Sequence, residues 1–254
     1  MSDSLGAVKS WRSWADAPLR WAGPLVGVGV GRGVTFSSDA DVHLLYAIPV
    51  FGLCSVAGVL LADLVVHPRR RGVREAVVVR RRVRDQIPRA LAGSLVVQAV
   101  LLVVLLGIAV GTASADGAGR AGRALVESCQ GGTYVTGPWP GPYYAWPVLG
   151  GLGAGSVVCG LTLRRVTARA GDDERRRVRA RVTVGAWGVL VAAPLFAVSS
   201  TMAVAVFSLP CGGWGWAGDL GAAGLASVAF VSAMTAGWCL VALLVPRVHI
   251  EERP

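Results

Sequence analysis

Long apolar segments alternate with short polar segments along the chain, and their lengths predict helices that cross a membrane. Such a helix needs about 20 mainly apolar residues, because its backbone N–H and C=O groups meet no water in the hydrocarbon and must pair within the helix. Five segments without lysine or arginine are long enough: residues 43–66, 90–113, 143–163, 182–209 and 220–246. A sixth apolar stretch, residues 21–30, is too short to cross.

The basic residues predict the orientation of these helices, because loops rich in arginine and lysine stay in the cytoplasm. Residues 67–89 contain nine arginines, residues 164–181 contain eight and residues 247–254 contain two, against six arginines and lysines elsewhere. With five crossings, this distribution places the N-terminus outside and the C-terminus inside. The predicted fold is an all-α membrane bundle of five helices (residues 43–246) between an extracytoplasmic tail (1–42) and a cytoplasmic tail (247–254).

The segment before the first predicted crossing combines signals for the membrane surface with signals against a helix. Trp11, Trp14 and Trp21 lie among basic residues, which is typical of a segment at the level of the lipid headgroups. Pro18, Pro24 and the glycines between residues 27 and 33 interrupt a continuous amphipathic helix. We therefore expect a loose tail in preference to an interfacial helix.

Composition excludes an ordinary soluble domain. Hydrophobic residues make up 54% of the 254 residues, charged residues only 16%, and the net charge is +10, with a mean hydropathy of +0.57. Soluble domains carry about 25% charged residues. Asparagine is absent and lysine occurs once, while arginine, alanine, glycine and valine dominate, which is typical of a GC-rich bacterial genome. The expected location is the cytoplasmic membrane of a bacterium.

Two predicted crossings begin with related sequences 98 residues apart. They are YAIPVFG at residues 46–52 and YAWPVLG at residues 144–150, and each leads through an arginine-rich loop to a second helix and then to a cysteine beside glycine. This order is consistent with a parallel repeat of two helical hairpins plus one further helix. The alternative is convergence, since tyrosine at the interface and proline in the first turn suit any helix that starts at the outer face.

Small and polar residues inside the crossings indicate how the helices pack. Gly151 and Gly155 form a G-x-x-x-G pair, which predicts close helix contact and makes the third crossing the expected central helix. Gln98 is the polar residue of the second crossing, and Asp63 is the ionisable residue that lies deepest in a crossing. We expect Asp63 to pair with arginine at the cytoplasmic boundary, with an intramembrane functional role as the alternative.

The five cysteines divide between crossings and loops. Cys54, Cys159 and Cys239 fall inside crossings, where a thiol packs as a small apolar group. Cys129 and Cys211 fall in predicted outer loops, where disulfides persist, so we predict that these two form a disulfide. A thiol oxidoreductase is disfavoured, because the Cys-x-x-Cys motif is absent from the sequence.

Arginine runs in the predicted cytoplasmic loops favour contact with lipid over contact with nucleic acid. Basic runs beside a membrane attract anionic headgroups, and here no aromatic residues interleave them to stack bases. The expected partner is a bilayer with anionic lipids, contacted by Arg69, Arg70, Arg71, Arg80, Arg81, Arg82, Arg175, Arg176 and Arg177.

Loop signatures carry a family resemblance over residues 42–254. Residues 83–89 (VRDQIPR), residues 119–125 (GRAGRAL), Cys129 and residues 137–144 (GPWPGPYY) resemble uncharacterised multi-pass membrane proteins of actinomycetes, of the Streptomyces type. The resemblance implies a helical membrane protein and no particular activity, cofactor or binding residue.

Motifs for nucleotide, metal or nucleophile chemistry are absent from the sequence, so no cofactor or metal is expected. The favoured function is that of a non-enzymatic accessory or scaffold subunit with a protein partner or a second copy of itself. The alternative is a small permease or channel component, and an enzyme of thiol-redox or lipid-modifying type comes third. A permease requires polar groups to converge on one water-accessible surface, and the candidates are Gln98, Ser156, Ser199, Ser200, Thr201, Ser227, Ser232 and Thr235.

Overall fold

The chain folds as a helical bundle with one small β-hairpin. The computed structural model describes residues 21–33, 40–66, 89–129, 132–168, 173–208 and 215–245. Within these ranges, residues 21–33 are helical (α1), and the remaining elements are α2 (Ala40–Val66), α3 (Arg89–Thr112), β1 (Leu125–Cys129), β2 (Gly132–Thr136), α4 (Pro142–Ala168), α5 (Asp173–Ser208) and α6 (Gly215–Leu244).

Within the described ranges, four helices are long and apolar enough to cross a membrane, which indicates a multi-pass membrane protein. Their apolar parts are Ala90–Thr112, Pro142–Val166, Arg177–Ser208 and Gly218–Leu244. The apolar part of α2 within the described side chains, Ala47–Leu61, is shorter, although the helix itself has 27 residues. The fifth crossing and the orientation therefore stay predictions.

The helices extend past the boundaries that the apolar pattern predicts. α4 continues through Arg164 and Arg165, and α5 begins at Asp173 and runs through the arginines that precede its apolar part. Arginine interrupts an apolar run but is a good helix former, and its long side chain can reach back to the headgroups. Hydrophobic length thus underestimates helix length at these two ends.

The centre of the bundle is α5, whereas the sequence predicted α4. In α5, 67% of the most apolar stretch is buried, against 22–28% in the other three candidate crossings. α5 contacts α2, α3, α4 and α6. Small residues allow this close packing: a Cβ on Gly185 would lie 3.1 Å from the Cys239 carbonyl of α6, and Gly188 lies against the Cys239 side chain.

Both glycines of the predicted G-x-x-x-G pair lie at helix contacts. A Cβ on Gly151 of α4 would lie 3.3 Å from the Leu53 side chain of α2. Gly155 lies against the Leu190 side chain of α5. The pair thus lies where α4 meets α2 and α5.

Residues 21–33 form a packed helix, so the expectation of a loose tail is wrong for this part of the segment. Gly23, Gly27 and Gly31 are spaced by four residues and lie on one face of α1, against the backbone and side chains of α2. Contact between the two backbones offsets the low intrinsic helix propensity of glycine. Residues 1–20 lie outside the described ranges.

An irregular segment with a β-hairpin joins α3 to α4, and we call residues 113–141 the cap. An isolated bridge between Ser114 and Ala124 precedes the hairpin, in which Leu125 pairs with Thr136 and Cys129 with Gly132. The sequence analysis missed these strands, although Thr133, Tyr134 and Val135 are good strand formers.

Candidate functional site

The cap is attached to the end of α3 by a buried tryptophan. The indole Nε1–H of Trp139 donates a hydrogen bond to the carbonyl oxygen of Ala109 over 2.9 Å, and the Trp139 backbone N–H donates to the Arg123 carbonyl over 2.9 Å. Ala109 belongs to the last turn of α3, where carbonyl groups lack partners within the helix. The ring thus ties the cap to a helix end that water does not reach, since Trp139 is 3% exposed and Ala109 is fully buried.

The cap also contacts the start of α4. The Arg123 guanidinium lies 5.3 Å from the centroid of the Tyr143 ring, a cation–π geometry. The Gly141 carbonyl accepts hydrogen bonds from the backbone N–H groups of Tyr144 and Ala145, each over 3.0 Å, and so begins the helix. Tyr144 is fully buried in the core beneath the cap, with Trp139 in the same cluster.

Gly122 occupies a position that only glycine fits. Its φ is +75°, and a Cβ there would lie 2.8 Å from Cδ of Pro142. L-residues with a Cβ rarely adopt this backbone region. The glycine therefore lets the cap turn directly over the first residue of α4.

Asp116 organises the turn at the beginning of the cap. Its Oδ1 accepts from the backbone N–H of Ala118 over 3.0 Å and of Arg120 over 2.8 Å, and its Oδ2 accepts from Arg120 Nε over 2.8 Å. These hydrogen bonds, led by the one from the Arg120 backbone, lower the pKa of the Asp116 carboxyl from its ordinary 3.8. Charge on Asp116 therefore supports the folded turn.

A cavity of about 190 Å³ lies between the end of β2 and the last turns of α5. Its lining includes Thr136, Gly137 and Pro138 of the cap and Ser200, Thr201 and Ser208 of α5. Ser200 and Thr201 both donate to the Ala197 carbonyl, and Ser208 donates to the Ala205 carbonyl. The hydroxyl oxygens of α5 thus remain as hydrogen-bond acceptors at this cavity.

The hairpin of the cap presents hydrophobic side chains on its surface. Tyr134 is 41% exposed and Val135 is 51% exposed, and consecutive strand residues point to opposite faces. Both residues lie outside the helices that are apolar enough to cross a membrane. The cap is therefore attached to the helices below it and exposes one hydrophobic side chain on each face of its hairpin.

Gln98 forms a polar contact between α3 and α6. Its Nε2 donates to Thr235 Oγ1 over 2.9 Å and to Ser94 Oγ over 3.4 Å. Gln98 is 4% exposed, and its Oε1 has no hydrogen-bond partner among the described residues. The amide thus joins two helices that both pack on α5.

The other candidate polar residues do not converge on one surface. The Ser156 hydroxyl accepts from Trp187 Nε1 over 2.9 Å, which joins α4 to α5. Six hydroxyl groups on α5 and α6 donate hydrogen bonds to carbonyl groups of their own helices. These hydroxyl groups belong to Ser199, Ser200, Thr201, Ser227, Ser232 and Thr235. Ser199 and Ser232 are buried, whereas Ser227 is exposed. Ser200 and Thr201 share the cavity beside the cap, and the other candidates lie elsewhere in the bundle.

Several sequence-predicted residues fall outside what the structure describes. Cys211 and six of the arginines lie outside the described ranges, and the side chains of Asp63, Cys129, Arg175 and Arg176 are likewise not described. The predicted Cys129–Cys211 disulfide is therefore not tested.

Arg177 is exposed, and Cys54, Cys159 and Cys239 are free thiols. Among the described residues, no group of three or more His, Cys, Asp and Glu side chains could hold a metal ion.

In comparisons with known proteins, no protein family, no curated protein and no solved structure matches this chain. The resemblance to actinomycete membrane proteins stays a prediction. The functional argument consequently depends on the geometry of the chain itself.

Proposed function

We propose that the protein is a non-enzymatic accessory or scaffold subunit of a bacterial cytoplasmic membrane, which binds a protein partner through its cap. The observation that supports this proposal is that the cap is attached to the helices and also exposes hydrophobic side chains. Trp139 and Arg123 tie the cap to the ends of α3 and α4, while Tyr134 and Val135 stay exposed. A preorganised surface with exposed aromatic and aliphatic side chains suits protein binding, because little freedom is lost on association.

The intramembrane polar groups support binding over transport. The hydroxyls of Ser199, Ser227 and Ser232 donate to carbonyl groups in their own helices, and they face different surroundings. A permeation path would need many polar groups along one cavity through the bundle, whereas of the candidate residues Ser200 and Thr201 alone line the described cavity, which lies beside the cap. The polar residues of this bundle favour helix packing.

Membrane placement forms the second part of the proposal. α2 also crosses the membrane, because its 27 residues are long enough and a Cβ on Gly52 would lie 3.0 Å from Cα of Leu190 in the apolar part of α5. Residues 67–89 and 164–181 then lie in the cytoplasm with the C-terminus, and the cap lies outside. Each arginine near an anionic leaflet adds about 1 kcal/mol of attraction.

A disulfide between Cys129 and Cys211 completes the proposed outer surface. Cys129 ends β1, and Cys211 follows α5 by three residues. Ser208, the last residue of α5, lines the cavity beside the hairpin, so the chain leaves α5 next to the cap. Such a bond contributes about 2 to 4 kcal/mol by restricting the unfolded chain.

Site-specific photo-crosslinking tests the binding proposal. A photoreactive phenylalanine analogue replaces Val135 on the hairpin, and the matched control carries it at Ala118, which is also exposed in the cap. In cells of the native host, the Val135 variant is expected to give a discrete adduct that contains one partner or a second copy of the chain. The control is expected to give none. Uncrosslinked monomer at both positions would contradict the proposal.

A further inference from the structure

The helix at residues 21–33 runs antiparallel to α2 and touches it along its length. A Cβ on Gly23 would lie 2.6 Å from the Cys54 carbonyl oxygen, and one on Gly27 would lie 3.0 Å from Cα of Phe51. A Cβ on Gly31 would lie 3.2 Å from Cβ of Ala47. Later glycines of α1 thus contact earlier residues of α2, so the two helices are antiparallel.

The contacts of α2 with two other helices set the depth of α1. Gly52 of α2 lies against Leu190, near the middle of the apolar part of α5, and Leu53 lies against Gly151, near the middle of the apolar part of α4. Phe51 therefore lies near the middle of the hydrocarbon, and so does Gly27, which faces it. At 1.5 Å per residue, Trp21 is about 9 Å from this level along α1.

The surface of α1 that faces away from α2 is apolar. Leu25 is 63% exposed, Val26 56%, Val28 50% and Val30 45%. Residues 21–31 contain no charged side chain, and Arg20 and Arg32 stand on either side of them. Such a helix suits contact with lipid, since an exposed apolar patch of this kind is unfavourable in water.

We propose that α1 lies within the bilayer beside α2 and that the N-terminal segment, residues 1–20, is on the cytoplasmic side. This proposal rests on the crossing of α2 proposed above. Since α2 runs from the outer face to the cytoplasmic face, the antiparallel α1 runs outwards, and the residues before Trp21 lie on the inner side. The N-terminus-out expectation of the sequence analysis is thereby reversed. The expectation that residues 21–30 are too short to cross is reversed as well, because a short apolar stretch is accommodated when the bilayer thins locally and the flanking basic side chains extend to the headgroups.

The charge distribution agrees better with this arrangement. Lys9, Arg12 and Arg20 join the cytoplasmic side, which changes the division of the 25 basic residues from 19 inside and six outside to 22 inside and three outside. The bundle becomes three helical hairpins with both termini inside. On that side, the basic residues of the N-terminal segment add to the attraction that the arginine-rich loops have for the anionic cytoplasmic leaflet.

Cysteine accessibility in the full-length protein tests the proposal. Cys129 and Cys211 are replaced by serine, and this variant, which keeps the free thiols Cys54, Cys159 and Cys239, gives the background labelling. One further cysteine is then introduced as Ser10→Cys, Gly29→Cys or Ala118→Cys. A membrane-impermeant maleimide is then applied to intact cells or spheroplasts and to permeabilised ones. A Cβ at Gly29 would have no neighbour within 4 Å, so the protein itself does not shield this position.

The three variants give distinct expected results. Ser10→Cys is labelled only after permeabilisation, and Gly29→Cys is labelled in neither condition, because lipid keeps out the charged reagent. Labelling of Ser10→Cys in intact cells, or rapid labelling of Gly29→Cys, would overturn the proposal. Ala118→Cys is labelled in intact cells, because the cap lies outside. This third variant reports the side of the cap separately, so a wrong overall orientation is distinguished from a wrong placement of α1. A green fluorescent protein fused to the N-terminus is expected to fluoresce, as it does when it folds in the cytoplasm.

Discussion

Replacement of Trp139 by phenylalanine removes the hydrogen bond that attaches the cap to α3. Phenylalanine keeps an aromatic ring but removes the Nε1–H that donates to the Ala109 carbonyl. Trp139 is 3% exposed and Ala109 is fully buried, so water cannot replace the lost donor. A buried acceptor left without its partner costs about 1 to 3 kcal/mol.

The expected loss in thermal stability follows from the size of the chain. For a domain of 150–250 residues, 1 kcal/mol shifts Tm by about 2 to 4 °C, so a loss of about 2 kcal/mol lowers Tm by about 4 to 8 °C. The protein is purified in mild detergent and heated, and the folded fraction is measured by size-exclusion chromatography. The matched control is Trp146→Phe, which makes the same chemical change at a side chain that is 73% exposed. Equal Tm shifts for the two variants would refute the role assigned to Trp139.

Three further outcomes are expected from the same stability measurement. Gly27→Leu is expected to lower the free energy of unfolding by about 1 to 3 kcal/mol, because the new side chain overpacks against α2. Gly29→Leu is expected to stay near wild type, because no atom lies within 4 Å of its Cβ position. Similar losses of stability in the two variants would contradict the packing of α1. Gly122→Ala is expected to lower the free energy of unfolding by at least about 1 kcal/mol, because alanine is strained at a positive φ. The control Gly117→Ala is expected to be nearly neutral, because its Cβ position is open. An unchanged stability of Gly122→Ala would contradict the turn geometry. Since hydrogen bonds lower the pKa of Asp116 below 3.8, its stabilisation is present above that ordinary value and is lost as the pH falls through the lowered one. The Tm difference between wild type and Asp116→Asn is therefore expected to shrink below about pH 4, and a difference that stays constant down to pH 2 would contradict this account.

Hydrophobic length in the sequence was sufficient to predict four of the crossings. Residues 90–113, 143–163, 182–209 and 220–246 each overlap a helix that is long and apolar enough to span a membrane. The prediction succeeds because every helix that crosses a bilayer must span the same hydrocarbon thickness, and because the backbone N–H and C=O groups there find no hydrogen-bond partner outside the helix. Helix ends were predicted less well, since arginine ends the apolar run without ending the helix.

Features that depend on contacts between distant residues could not be predicted in this way. The central position of α5 follows from its contacts with four other helices at once. In these contacts Leu190 of α5 lies against glycines of α2 and α4, whereas the conspicuous glycines of α4 indicated the wrong helix. For α1, the low helix propensity of glycine led to the loose-tail prediction, because propensity takes no account of the contact that Gly23, Gly27 and Gly31 make with α2. Their spacing of four residues is the signal that could have indicated a packed helix.

The cap was the least predictable part of the site. In the sequence, the segment around Trp139 carries a family resemblance alone, and no pattern indicates a role for Asp116 or Gly122. Trp139 and Asp116 act through backbone groups elsewhere in the chain, namely the Ala109 carbonyl and the Arg120 N–H. Gly122 acts through its own positive φ beside the ring of Pro142. Pattern analysis identifies residue types but not their partners across a turn.

The central claim, that the cap and the arginine-rich loops lie on opposite sides of the membrane, is tested most directly by limited proteolysis of sealed vesicles. Protease sites are inserted separately after Ala118 in the cap and after Gly171 between the arginine runs. In right-side-out vesicles, cleavage is expected at the cap site alone, and in inverted vesicles at the loop site alone. Cleavage of both sites from the same side would contradict the account.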